Sequence, residues 1–376
     1  MTATEHAPTP ERSTGRRRAV RVLGWTGTVL GLVLLVVVLL VAGVLAYLRT
    51  ESGLAQLATM IEKVASGERS KLAIGSLEGA FPEHLRLENV SLTDDQGVLL
   101  TIDFADLRWH PWRLLSRHLA VSVFEIGTID VHRLSAAEPA PAQEAGPMEL
   151  PSLPMDVTLD SFRMRELRLA QAILGQAARL TASASLSATR QGEFGVNADV
   201  HTLGGVPTRL SLAAGYDAST AHLKVDVEAD EAGGGLVGGL LGLPGSPPLR
   251  LVAKGDGPLR DWRGNLTATA GSLAAIEADV GLSGERPLRV ALDGSADIQG
   301  LLPPDLAPLT AGGLAVAATG DVFSERITLN SLGVTTAAGS LRGEGTFMPK
   351  EKRLDGKMAL TLGPATVWEP LLPGIG

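Results

Sequence analysis

The residues that could carry nucleophilic, acid–base or metal chemistry are few in this chain, and they stand far apart. The chain has no cysteine, so a thiolate nucleophile, a thiolate metal site and a disulfide framework are all excluded. No G-x-S-x-G nucleophile motif occurs, and a turn explains the adjacent pair Asp94 and Asp95. Six of the seven histidines are scattered, without the short spacings of metal ligands: His84, His110, His118, His132, His201 and His222. The sequence therefore predicts no enzyme, no metal and no cofactor.

One glycine motif could hold a phosphate. Gly233, Gly235 and Gly238 satisfy the G-x-G-x-x-G spacing of dinucleotide-binding loops. That motif needs a helix directly after it, whereas here three prolines follow within ten residues. A flexible hinge is favoured instead, or an apolar lid formed by Leu236, Val237, Leu240, Leu241 and Leu243.

The dominant pattern is a strict alternation of apolar and polar residues. In the stretch 223–230, leucine, valine and alanine occupy the odd positions, and lysine and carboxylates occupy the even ones. Similar runs, separated by turn residues, continue from Lys71 to the end of the chain, and a slip of phase between Leu87 and Val90 indicates a bulge. Helices between the strands are missing. The sequence predicts a mainly β fold with one apolar and one polar face.

An apolar sheet face must pack against a second layer or curl into an interior. No second layer is encoded, and aromatic residues make up only 4% of the chain, so we expect a long, curled, repetitive sheet that encloses an open apolar groove. The candidate groove-lining residues are Leu85, Leu87, Leu92, Leu100, Ile102, Phe104, Val121, Val123, Val157, Leu159, Leu223, Val225, Val227, Leu288, Val290, Ile327 and Leu329.

A single segment is apolar enough to span a membrane. The 23 residues from 25 to 47 would form a helix of about 35 Å, which exceeds a hydrocarbon core of about 30 Å. The small residues at 44–46 resemble a signal-peptide cleavage site, but the apolar run is longer than a signal peptide requires, so an uncleaved anchor is favoured. The anchor residues that we single out are Trp25, Leu32, Leu35, Val38, Leu40 and Tyr47.

Charge predicts the orientation of this segment. Arginines cluster before it, and the positive-inside bias then leaves the N-terminus in the cytoplasm and the bulk of the chain on the far side. The net charge of −8 and the pI near 5.5 argue against binding to nucleic acid. The residues of the topology signal are Arg16, Arg17, Arg18 and Arg21.

These patterns divide the chain into six parts. A short amphipathic helix is predicted after the anchor, because Leu54, Leu57, Ile61 and Val64 recur at helical spacing. The predicted parts are a basic cytoplasmic tail (1–21), a transmembrane anchor (22–48), the amphipathic helix (49–67), an N-terminal β module (68–134), a Pro/Ala-rich linker (135–155) and a repetitive β-groove (156–376), truncated at its C-terminus.

Three sequence segments carry a family resemblance: "GSLEG", "GVLLTIDFADLRWHPWRLL" and "PLRLVAKGDGPLRDWRGNLTA". In this order, after an anchor and a short helix, they resemble the N-terminal part of the TamB family, the inner-membrane subunit of the translocation and assembly module, within the AsmA-like group. The resemblance covers most of residues 20–350. It implies a groove of the β-taco type that crosses the periplasm of a Gram-negative bacterium, anchored by a single pass in the inner membrane.

The resemblance also implies two kinds of function. One is shelter for phospholipid acyl chains that move between the inner and outer membranes, which supports outer-membrane biogenesis. The other is help in the insertion or secretion of outer-membrane and autotransporter proteins together with the barrel protein TamA. Family members are several times longer than this chain, and they meet TamA through a C-terminal part that is absent here. The expected partners are therefore membrane phospholipids and the inner membrane.

Overall fold

The computed structural model describes most of the chain beyond the predicted membrane anchor. The predicted transmembrane segment, 22–48, lies outside the described residues apart from its last three. Among the described residues, no helix is both long and apolar enough to cross a membrane. The chain divides into two compact units, Met1–Leu57 and Ala58–Gly376. The described residues are 46–67, 70–134, 153–284, 287–323, 326–349, 351 and 353–368.

The second unit is built around one sheet of 17 strands. The strands are β1 (Ser70–Glu78), β2 (His84–Asp94), β3 (Gly97–Trp109), β4 (His118–Val131), β5 (Asp156–Leu169), β6 (Ala178–Ala188), β7 (Phe194–Thr202), β8 (Thr208–Asp217), β9 (His222–Glu231), β10 (Leu249–Pro258), β11 (Asp261–Ala270), β12 (Ala274–Ser283), β13 (Leu288–Asp297), β14 (Leu314–Val322), β15 (Ile327–Thr336), β16 (Gly339–Met348) and β17 (Arg353–Leu362). The helices are α1 (Glu51–Ala65), α2 (Gln171–Leu174), α3 (Leu236–Leu240) and α4 (Ala365–Trp368), and the 3₁₀ turns are Pro111–Ser116, Gln299–Leu301 and Ala307–Thr310.

Each strand pairs with the strand that follows it in the chain, from β1 to β17. Neighbouring strands lie about 4.8 Å apart, so the sheet extends for about 75 Å perpendicular to its strands. Every pair is antiparallel except β4 with β5, which are parallel. A parallel pair needs a crossover that returns the chain across the full strand length. The segment 132–155, which contains the predicted linker, makes that connection.

The antiparallel connections form two rims along the sheet. The connections 95–96, 170–177, 203–207, 232–248, 271–273, 298–313 and 337–338 form one rim, which we call the long-loop rim. The other connections, among them 110–117, 189–193 and 218–221, form the short-turn rim. Contacts join the long loops to one another: the Gly271 N–H donates to Pro248 O at 2.8 Å, and the Trp368 Nε1–H donates to Ala338 O at 3.0 Å.

The long strands β2–β5 change the phase of their apolar residues at the same place. At this place Asn89 has φ +53°, which puts it in the left-handed region, and a Cβ on Gly127 would overlap the Asp103 carboxylate. Bulges of this kind let both halves of a long strand present apolar side chains to one face. The bulge that the sequence predicted between Leu87 and Val90 is the one at Asn89 in β2. The apolar phase steps from 87 to 90, 102 to 105, 126 to 129 and 164 to 167.

The outer edge of β1 is covered by the segment that precedes it. The N–H groups of Leu72 and Ile74 point away from β2, and they donate to Ser66 Oγ at 3.0 Å and to Glu62 Oε1 at 2.7 Å. Unpaired edge groups would otherwise offer a template to another strand. The residues at the end of α1 therefore close this edge of the sheet.

Among the described helices and strands, none forms a second layer over the apolar face of the sheet. No large side chain among the described residues is fully buried. Along β13 the inward residues are half-buried and the outward residues are exposed, in strict alternation. The inward side chains obtain their partial shelter from the sheet itself, so the sheet is open and curled.

Candidate functional site

Strand pairing places apolar side chains on one face across the whole sheet. Residues paired directly in a sheet point to the same side, so a rung of partners can be followed from strand to strand. The rung that passes through Val227 contains no polar side chain in sixteen strands. It consists of Leu85, Leu107, Phe124, Phe162, Ala184, Ala198, Leu212, Val227, Ala253, Leu266, Ala278, Gly294, Val316, Val334, Leu341 and Leu360.

The neighbouring rung points to the opposite face and consists of polar residues, alanine and glycine. Its members are Ser185, Asn197, Ala213, Asp226, Lys254, Asn265, Asp279, Asp293, Ala317, Gly333, Arg342 and Ala359. We call the two sides the groove face and the outer face. Across β6–β17, the described strand positions on the groove face include a single charged residue, Glu231.

Ion pairs between neighbouring strands cover the outer face. Arg289 in β13 pairs with Asp321 in β14 at 2.9 Å. Hydrogen bonds from Arg168 and Arg179 lower the pKa of Glu166 to about 2. A group with a lowered pKa contributes stability above its unfolded pKa and loses it as the pH falls through the folded value. The Glu166 carboxylate therefore stays ionised throughout the neutral range.

Small residues line part of the groove face. Gly255, Gly264, Gly294 and Gly320 all point to it, and alanines lie between them. The ring of Trp262 lies flat over Gly255 and Gly264, where a Cβ would overlap the indole, and its Nε1–H donates to Leu223 O at 2.9 Å.

Glu231 ends the groove face of β9 and is 3% exposed. It binds the start of α3: the N–H of Val237 donates to its Oε2 and the N–H of Gly238 to its Oε1, both at 2.8 Å. The Thr208 hydroxyl donates to Oε2 at 2.8 Å. Gly235 allows this approach, because a Cβ there would overlap the Glu231 side chain. A buried carboxylate thus fastens the long connection 232–248 to the rim of the groove.

This connection contains the glycine motif and the lid residues named from the sequence. Gly235 leaves space for the Glu231 side chain, and the N–H of Gly238 donates a hydrogen bond to it. The helix that follows, α3, is only five residues long. Leu240 and Leu241, at the end of α3, are 54% and 65% exposed. The motif therefore has a structural role in this loop.

The candidate lining residues fall into two groups by face. Phe104 and Val123 lie on the outer face. The Phe104 ring lies beneath the guanidinium groups of Arg86 and Arg165, 4.4 and 4.9 Å from its centroid, and Val123 is paired with Arg108. The others share the groove face: Leu85, Leu87, Leu92, Leu100, Ile102, Val121, Val157, Leu159, Leu223, Val225, Val227, Leu288, Val290, Ile327 and Leu329.

The sequence-based selection missed several residues of this face. The missed residues are Trp262, Phe162, Leu186 and Leu360. Each lies in a run of alternating apolar and polar residues, from which its position on the groove face could have been predicted. The role of Glu231 was also missed, although it stands in phase with Val227 and its partners Val237 and Gly238 lie only six and seven residues further along the chain. Within the described part of the chain, no group of three or more histidine, aspartate or glutamate residues is arranged to hold a metal ion.

Comparison with known proteins agrees with this architecture. Residues 39–192 match the family model described as the TamB N-terminal domain. No curated protein and no solved structure matches the chain significantly. The matched range contains the end of the predicted anchor, α1 and strands β1–β6, in which the groove face begins. The chain therefore carries, over residues 39–192, the N-terminal domain of the TamB family.

Proposed function

We propose that this chain shelters phospholipid acyl chains on the groove face of its sheet while lipids pass between the inner and outer membranes, and that it thereby supports outer-membrane biogenesis. The observation that carries the proposal is the uninterrupted apolar rung from β2 to β17, which no described helix or strand covers. The chain acts by binding and guiding lipid and not as an enzyme.

The energy of moving an acyl chain through water explains why such a face is useful. Each CH₂ group costs about 0.8 kcal/mol to expose, so a 16-carbon chain costs about 12 kcal/mol. An apolar groove of about 75 Å removes most of that cost along its length. The lipid headgroup can remain in water beside the open groove.

We further propose that residues 22–48 anchor the chain by a single pass in the bacterial inner membrane, with the N-terminus in the cytoplasm and the sheet in the periplasm. The support is the apolar run from 25 to 47 and the arginines before it. The match to the TamB N-terminal domain is consistent with such an association.

Photo-crosslinking in growing bacteria tests the lipid proposal. A photo-reactive residue at Val290, on the groove face, is expected to yield a covalent phospholipid adduct. Ala291 is the matched control, because it is also a small apolar residue on β13 but points to the outer face. Mass spectrometry of the adducts should find lipid at Val290 and none at Ala291. Equal lipid yields at both positions would contradict the proposal.

A client polypeptide is the second candidate occupant, as expected if the chain assists TamA in the assembly of outer-membrane proteins. In an extended polypeptide every second side chain points to the same side, so the apolar side chains of a client segment could also pack on the groove face. The same experiment separates the two functions, because the adduct at Val290 is then a protein and not a lipid.

A further inference from the structure

The connection between β3 and β4 exposes an apolar and basic segment on the short-turn rim. The six residues Trp112–Arg117 are all exposed. Leu115 is 86% exposed, Trp112 56% and Leu114 39%. Single apolar residues on a surface need no explanation, but three within four positions form a patch that marks an interaction site.

This segment has a fixed shape. Residues Pro111–Ser116 form a 3₁₀ turn, which Arg117 ends in the left-handed region with φ +58°. The N–H of Arg117 donates to Leu114 O at 2.9 Å, and the Ser116 hydroxyl donates to Arg113 O at 2.8 Å. The apolar side chains are therefore held outward by the turn, and the segment does not have to fold when it binds.

The charges around the patch identify its partner. Arg113 and Arg117 flank the leucines and are exposed. Glu83 contacts the segment through the Trp112 Nε1–H, which donates to its Oε1 at 3.3 Å, so the two arginines outnumber the one carboxylate in contact with the segment. Tryptophan prefers the headgroup level of a bilayer, leucine prefers the hydrocarbon beneath it, and arginine is attracted to anionic headgroups.

We infer that Trp112, Leu114 and Leu115 insert into the surface of a phospholipid bilayer and that Arg113 and Arg117 bind its anionic headgroups. The segment lies only two to three strand spacings from β1, about 10 to 15 Å along the sheet. Docking there would hold the first strands of the groove face against the membrane surface. The inference rests on the proposed function for the use of phospholipid, but it concerns a different surface.

A fluorescent probe on the segment tests this inference in the full chain, reconstituted in vesicles. Because the chain has no cysteine, Leu115→Cys gives a single labelling site for an environment-sensitive dye. In vesicles of phosphatidylethanolamine and phosphatidylglycerol, the dye should show blue-shifted emission, protection from aqueous iodide and quenching by lipid-borne nitroxides. The control is Gln191→Cys, an exposed residue in the β6–β7 turn of the same rim, which should stay accessible to iodide.

Substitution of the two arginines is the second part of this experiment. Arg113→Gln and Arg117→Gln, each in the labelled chain, should lower the docked fraction on anionic vesicles about fivefold, with little change on zwitterionic vesicles. A dye at 115 that remains open to iodide on anionic vesicles overturns the inference. Protection that survives both arginine substitutions also overturns it. Neither outcome affects the crosslink at Val290, so failure of docking and failure of the lipid groove are distinguishable.

Discussion

The double variant Val225→Asp/Val227→Asp is expected to lose phospholipid from the middle of the sheet by more than tenfold. Both side chains point to the groove face of β9. A carboxylate in contact with hydrocarbon costs about 2.5 to 3.5 kcal/mol, and about 1.4 kcal/mol corresponds to a tenfold change in occupancy. The amount of lipid that is crosslinked in cells to Val290 measures the effect.

A matched pair on the outer face controls for the added charge. Ser185→Asp/Ser187→Asp also places two carboxylates two residues apart on one strand, but they face water beside Asn197 and Gly195. Lipid occupancy should stay near that of the parent chain. Circular dichroism should show the same strand content in both variants. If the groove-face variant keeps its lipid while folded, the groove face is not the lipid track.

Glu231→Ala is expected to release the connection 232–248 from the rim of the groove. The substitution leaves the N–H groups of Val237 and Gly238 without their acceptor. Hydrogen bonds to a charged group contribute about 1.5 to 3 kcal/mol each. Amide exchange at these two residues should therefore accelerate about 100-fold or more, as measured by hydrogen–deuterium exchange mass spectrometry.

Glu228→Ala is the control for this variant. Glu228 lies on the same strand but on the outer face, where it forms an exposed ion pair with Lys254 at 2.5 Å. Its loss should leave exchange in α3 unchanged, because exposed pairs contribute little. Unchanged exchange in Glu231→Ala would show that other contacts hold the loop.

Much of the fold follows from the period of the sequence. The alternation at Leu223, Val225 and Val227 predicted half-buried strands with one apolar face, and the pairing of β8, β9 and β10 places all three on that face. The match to the TamB N-terminal domain confirms the resemblance over residues 39–192. These features depend on local pattern, which a sequence carries directly.

Features that depend on partners distant in sequence did not follow from the pattern. Phe104 lies on the outer face because of the bulge at Asp103. An extra residue in a strand moves the next side chain to the opposite face of the sheet. The parallel pairing of β4 with β5 was not predicted, because the alternation of apolar and polar residues does not encode the relative direction of two strands. Glu231 occupies a position in phase with the apolar residues of its run, but the pattern does not show that its carboxylate accepts a hydrogen bond from Thr208 on the neighbouring strand.

The most direct measurement is a photo-crosslinking scan of consecutive positions along β9, from Leu223 to Asp230, in growing cells. If acyl chains lie on the groove face, the yield of phospholipid adduct alternates with a period of two residues and peaks at 223, 225, 227 and 229. A flat profile, or adducts that are proteins alone, would contradict the account.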